Sequence, residues 1–177
     1  RVRRHAQLFH QNTLSYVEEI KKLGRTMKAN GCKKLHIRID GTGGWGSGAI
    51  DILNADVEFK KEFSEVRILE VQFGASASNS KAYADLVTEM YYEAAETLKG
   101  VRLESPPLEL EADLCEREWT HVNRHGNTVK KLEDKELFRG RFSRSPDDGD
   151  GAVLALAPAH IFTDKEPKRS GRFIPLN

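Results

Sequence analysis

The sequence predicts an α/β protein, and three observations carry that prediction. Apolar residues alternate at Leu35, Ile37 and Ile39, again at Val66 and Ile68, and at Val71 and Phe73, as they do in strands with a buried face. Longer stretches from Thr13 and from Asn79 repeat their apolar residues every three or four positions, as helices do. The two patterns alternate along the chain, which is how helices come to flank a sheet.

Taken in order, Val2 to Phe9 reads as a possible strand with no turn before it and no hairpin partner. Leu14, Val17, Ile20, Leu23 and Met27 then give a helix one apolar face, with Ser15 and Glu18 as a capping box and Asn30-Gly31 as its stop. A strand from Leu35 to Asp40 runs into a glycine-rich loop, and Ala49 to Leu53 forms a short helix. Glu65 to Phe73 is a second strand ending at Gly74. Asn79 to Lys99 is a long helix with Ala82, Tyr83, Leu86, Val87, Met90, Tyr91, Ala94 and Leu98 on one stripe and Gly100 as its stop. After Pro106-Pro107, Leu108 to Leu114 reads as a short helix. Glu116 to Leu132 reads as two strands joined around Asn123 to Asn127 with a turn glycine. A basic stretch follows, then a helix opening at Ser145-Pro146-Asp147 that buries Val153, Leu154, Leu156 and Ala157. The division expected is one domain over residues 1–162 and a flexible tail over 163–177.

Composition narrows the class. At 177 residues the chain suits one domain with a real core, and 38% hydrophobic with 31% charged residues describes a soluble globular protein. No apolar run approaches a membrane span, and no leader-like apolar segment follows Arg1. Cys32 and Cys115 lack metal-ligand spacing and read as packed thiols of a reducing compartment. A net charge of +1 says little about partners; Arg139, Arg141 and Arg144 beside the acids Asp147, Asp148 and Asp150 say more.

The chemistry gathers at Asp40. The first strand delivers its carboxylate to the strand's C-terminal end, where α/β sheets keep their sites, and glycines at 41, 43, 44, 46 and 48 leave little bulk beside it. Gly41 to Gly46 formally matches the G-x-G-x-x-G dinucleotide fingerprint. A pyrophosphate there would meet the Asp40 carboxylate, so a nucleotide-dependent oxidoreductase ranks low. Asp40 as a mere turn cap is the plain structural alternative. Asp147 and Asp150 lie three apart at a helix start and share a face, with Asp148 beside both. Crowded carboxylates of this kind suit a hard cation such as Mg²⁺ or Mn²⁺. His121 and His125 are four apart, but a hairpin there separates them, which argues against a zinc pair. Trp45, within the loop, reads as a packing anchor.

The run from Ile37 through Asp40, the glycines and Asp51 to Leu53 resembles a motif of the nuclease domain of viral terminase large subunits. Further stretches resemble that family in the same order: Val71-Gln72-Phe73-Gly74, Tyr83 to Tyr91, Leu132-Glu133-Asp134-Lys135, and Ser145-Pro146-Asp147-Asp148-Gly149-Asp150. The resemblance spans about residue 10 to residue 157. It implies an RNase H-like fold, a mixed central sheet flanked by helices, with acids gathered around two Mg²⁺ or Mn²⁺ ions. It also implies a metal-dependent endonuclease that cuts concatemeric viral duplex DNA during genome packaging. Asp40, Asp147 and Asp150 match the family's catalytic metal-ligand positions. The implied partners are double-stranded DNA, the terminase ATPase domain, the portal and the small terminase subunit. The implied place of action is the cytoplasm of the infected host cell, transiently at the procapsid portal. Arg124, Lys130, Lys131, Lys135, Arg139, Arg141 and Arg144 are the expected DNA contacts, made to phosphates and blind to sequence, with the Asn123 to Thr128 turn as a groove probe.

The chain departs from the family pattern in two respects. The family's first catalytic Asp lies on a strand upstream of the position matching Arg1, and no ATPase motif is present. Gly149 and Gly151 at the start of the last helix are expected to loosen it by about 1 kcal/mol each relative to alanine. Other RNase H-like nucleases, such as a resolvase or transposase core, are the neighbouring readings, as is a DNA- or portal-binding module that does not cut.

Overall fold

Helix α1 (Thr13–Ala29) leads the chain in a computed structural model that describes residues 12–44, 46–101, 103 and 106–162. The expectations for Val2 to Phe9, Trp45 and the tail from residue 163 lie outside the described residues. Strand β1 (Lys34–Asp40) follows, then a 3-10 turn at Thr42–Gly44, α2 (Ser47–Ala55), α3 (Val57–Lys61) and β2 (Glu65–Val71). The remaining elements are α4 (Leu86–Leu98), α5 (Leu108–Cys115), β3 (Trp119–Arg124), β4 (Asn127–Leu132), α6 (Lys135–Phe142), α7 (Asp147–Leu156) and a 3-10 turn at Ala159–Ile161. No described helix is long and apolar enough to cross a membrane.

Among the described residues the strands form two small sheets flanked by helices. β1 and β2 pair in parallel with Ile37 opposite Ile68 and Asp40 opposite Val71, while β3 and β4 form an antiparallel hairpin. In parallel pairing, residues in register share a face, and strand side chains alternate between faces. Leu35, Ile37, Ile39, Val66 and Ile68 therefore point one way, into a core with Val17, Ala49, Leu53 and Phe59 from α1, α2 and α3. Leu69 and Val71 point the other way, toward Met90 and Ala94 of α4 and Val153 and Leu154 of α7. Arg38 and Asp40 belong to this second face, and Arg38 reaches the carbonyls of Leu154 and Ala157 at 2.8 and 2.6 Å.

Several local expectations change. Asn12, in place of a Ser15–Glu18 box, caps α1 by accepting the Ser15 N–H at 2.9 Å. Only part of the α1 stripe is covered: Val17 is buried, whereas Leu14, Leu23 and Met27 are exposed. The helix expected from Asn79 begins only at Leu86. Asp85 is its extended N-cap and accepts the Thr88 N–H, while the preceding segment turns aside to pair with β4 through Ala82, Ala84 and Lys130. The buried Glu89 fastens that detour by accepting the N–H groups of Ser78 and Asn79. Both cysteines are free, but Cys115 is exposed, not packed. The basic stretch after the hairpin is a helix, α6, with Phe138 fully buried.

Candidate functional site

Asp40 closes β1, and its carboxylate accepts the Thr42 N–H at 2.9 Å. The loop folds back so tightly that a Cβ at Gly46 would lie 2.5 Å from the Asp40 carbonyl oxygen and 2.7 Å from Ile39 Cγ2. A glycine is needed there for the close backbone approach. Asp40 remains only partly covered, and it also bears on Tyr16 of α1. The phenol of Tyr16 is raised above its ordinary pKa by burial first and by the Asp40 charge second. Asp40 thus caps the turn, the plain structural alternative the sequence allows it, while staying partly open to solvent.

The second acidic group forms the first turn of α7, on the same side of the β1–β2 sheet as Asp40. Its three acids have different surroundings. Asp147 is exposed, whereas Asp148 and Asp150 are buried. Asp150 is held from three directions: Tyr91 Oη donates to Oδ1 at 2.9 Å, Arg117 reaches Oδ1 at 3.1 Å, and Lys135 Nζ lies 2.6 Å from Oδ2. The Arg117 guanidinium stacks 4.7 Å over the Tyr91 ring and donates to the Glu133 carbonyl. Tyr91 holds its proton well above the usual phenol range, because it is buried and faces Asp150. Both oxygens of Asp150, one of the expected metal ligands, already face cations.

A carboxylate outside every motif in the sequence starts α7. Asp113 of α5, fully buried, accepts the Gly149 N–H at 2.9 Å and pairs with Arg144 at 2.5 Å. It supplies the cap that Pro146 cannot. Gly149 is required by this contact, since a Cβ would come within 2.6 Å of Asp113 Cβ and 2.9 Å of the Tyr91 hydroxyl. The expected loosening by glycine therefore applies at Gly151, which has open space around it, and not at Gly149. The signal for Asp113 is its position three residues after the buried Leu110, an acid on an apolar helix face. Arg117 gives less warning, lying between the acids Glu116 and Glu118.

The expected DNA-contacting cations divide in the same way. Lys135 and Arg144 are bound to Asp150 and Asp113, Arg141 to Glu133 and the Glu116 carbonyl, and Lys131 to Asp134 at 3.0 Å. Arg124 donates to the Ala84 carbonyl, and the Lys130 ammonium lies over the ring of Tyr92 at 4.3 Å. Arg139 is exposed on α6. Much of the basic stretch from 135 to 144 thus pairs with acids of the fold.

Comparison with known proteins bears on the fold. The structure matches the nuclease domain of the large terminase subunit gp2 of bacterial virus Sf6 with a TM-score of 0.53, covering 79% of this chain and 70% of that one at 13% identity. The chain has an RNase H-like fold. No family model and no curated protein matches the sequence. The likeness is one of chain path, and at this identity it does not carry individual residues across.

The described residues contain no group of three or more His, Cys, Asp or Glu placed to hold a metal ion. Asp40, partly covered, and Asp147, exposed, are single carboxylates of the kind a divalent cation takes. Mg²⁺ is commonly held by one or two carboxylates and completes its octahedron with water and substrate phosphate oxygens.

Proposed function

We propose that this chain is the endonuclease domain of a viral DNA-packaging terminase, a divalent-metal-dependent enzyme that hydrolyses phosphodiester bonds of concatemeric duplex DNA. The observation that carries the reading is that Asp40, at the end of β1, and helix α7, which opens with three acids, lie on the same face of the β1–β2 sheet. The shared chain path with the gp2 nuclease domain supports it.

In this reading Asp40 and Asp147 hold Mg²⁺ or Mn²⁺. Asp150 orients the turn through Arg117, Tyr91 and Lys135. The metal, when bound, supplies an activated water and charge stabilisation for the departing oxygen, in a two-ion arrangement in the full site. The chain's own contribution is to place carboxylates where the backbone leaves room for a phosphate, and to hold DNA by its cations. Arg139, exposed on α6, and the hairpin cations Arg124 and Lys130, which touch a carbonyl and rings but no acid in the contacts described, are the groups assigned to phosphates. Lys135, Arg141 and Arg144 act mainly by keeping buried acids in place. The ATPase domain, portal and small terminase subunit are the partners in this reading, and the packaging site in the infected cell is the place of action.

Supercoiled plasmid incubated with the chain and Mn²⁺ tests it. Nicking and linearisation that stop with chelator and with Asp40→Ala support the reading. Cutting by Asp40→Ala at the wild-type rate overturns the assignment of Asp40. A thermal melt gives an independent readout: Mn²⁺ raises the midpoint of the wild type by mass action and does so less for Asp40→Ala. The engaged state of Asp150 favours one other reading, a DNA-binding module that does not cut. Duplex binding without cleavage in either metal would select it.

A further inference from the structure

The hairpin β3–β4 carries a row of rings that the nuclease reading does not use. Trp119 opens β3 and is 52% exposed. Its ring centre lies 6.1 Å from that of Tyr92 and 5.2 Å from that of His121, each pair edge-to-face, and the Tyr92 and Tyr83 ring centres are 5.5 Å apart. Trp119 and His121 are two apart on one strand, and Lys130 is the cross-strand partner of His121, so all three occupy one face of the hairpin. The Lys130 ammonium lies 4.3 Å from the Tyr92 ring centre and 6.0 Å from that of Trp119.

This face is held firmly. Lys130 exchanges backbone hydrogen bonds with Ala82 and Ala84, and Arg124 bonds to the Ala84 carbonyl. The hairpin closes through His125 and Gly126, both at positive φ, which suits a tight two-residue turn. Its charge has one sign: residues 119–132 include Arg124, Lys130 and Lys131 and no Asp or Glu. An exposed Trp119 ring beside the exposed His121, on a ribbon whose own charges are Arg124, Lys130 and Lys131, matches a ligand with flat apolar faces strung on an anionic backbone, with Glu118 and Glu133 just outside the ribbon.

We propose that the Trp119–His121–Lys130 face binds single-stranded nucleic acid, with an unpaired base on the Trp119 ring and the adjoining phosphates against Lys130 and Arg124. Paired bases in a duplex hide their faces in the stack and offer only edges, so the face selects frayed ends, gaps and free strands over intact duplex. Stacking on an aromatic side chain is tolerant of sequence. The proposal rests on the nucleic-acid reading above and adds a second place of contact, away from Asp40.

Fluorescence anisotropy with a labelled short oligothymidylate and a blunt duplex of equal length tests it. Trp119→Ala is expected to weaken oligothymidylate binding by about tenfold, the size of one lost base stack, and to leave duplex binding nearly unchanged. Trp119→Phe keeps a ring against Tyr92 and restores most of the affinity, and His121→Ala loses less than Trp119→Ala. Oligothymidylate quenches tryptophan emission in the wild type and fails to do so in Trp119→Ala, where Trp45 remains. Equal losses on both DNAs, no loss on either, or tighter binding of a proline-rich peptide than of oligothymidylate overturns the proposal. If the chain binds oligothymidylate through Trp119 yet never cuts duplex, the nuclease reading falls and this surface stands. If it cuts duplex and shows no Trp119-dependent binding of the single strand, the nuclease reading stands and this surface falls.

Discussion

Asp40 and Asp150 are both acids near the ends of regular elements, on one side of the same sheet, yet their surroundings are opposite. Asp40 caps a turn with one N–H and keeps oxygen lone pairs toward solvent. Asp150 is buried among Tyr91, Arg117 and Lys135. A carboxylate that already faces cations has little reason to recruit another, whereas one with open lone pairs beside a glycine loop does. Spacing in the sequence identifies acids that share a face; the donors around them decide which are available.

Substitutions can separate the two. The largest effect is expected from Asp40→Ala, which abolishes plasmid cleavage while costing only the single turn hydrogen bond, about 0.5–1.5 kcal/mol by urea unfolding. Asp150→Ala is expected to act the other way round. It leaves the Arg117 charge buried without its partner and lowers unfolding free energy by about 3–5 kcal/mol. If Asp150→Ala unfolds normally and loses only cleavage, the contrast between the two acids collapses. Gly149→Ala forces a Cβ against Asp113 and Tyr91 and is expected to cost about 1–3 kcal/mol. Gly151→Ala, two residues on, meets nothing within contact distance. It should stabilise by about 0.5–1 kcal/mol through helix propensity, raising the melting midpoint.

The parts of the fold governed by local patterning are legible in the sequence. The β1 strand, the loop after Asp40, the hairpin turn and the start of α7 follow from alternation, glycines and a Ser-Pro-Asp helix start. The parts governed by tertiary pairing are not. Ala82 and Tyr83 continue the helical stripe of α4, yet their backbone is taken by β4 and their helix is cut short by Asp85. α6 is hidden because its charges outnumber its apolar residues; Phe138 alone fills its buried position. Asp40 stands out because strand ends and glycine loops mark sites in α/β sheets. Asp113, Arg117 and the engagement of Asp150 depend mostly on partners more than thirty residues apart, which no local window joins.

Helix α7 is secured at both ends. At its N-terminus Asp113 takes the Gly149 N–H and Asp150 is gripped by α4 and α6; at its C-terminus the Arg38 guanidinium, stacked 4.4 Å from the Phe162 ring centre, takes the carbonyls of Leu154 and Ala157. Helices normally fray from their termini, and here neither terminus can loosen without breaking a buried polar contact. Amide hydrogens of α7 should therefore exchange with solvent only through the opening that unfolds the core around Val153. Amides of α1, with its exposed Leu23 and Met27, should exchange through smaller local openings. The acidic turn is thus mounted on one of the slowest-opening segments of the molecule.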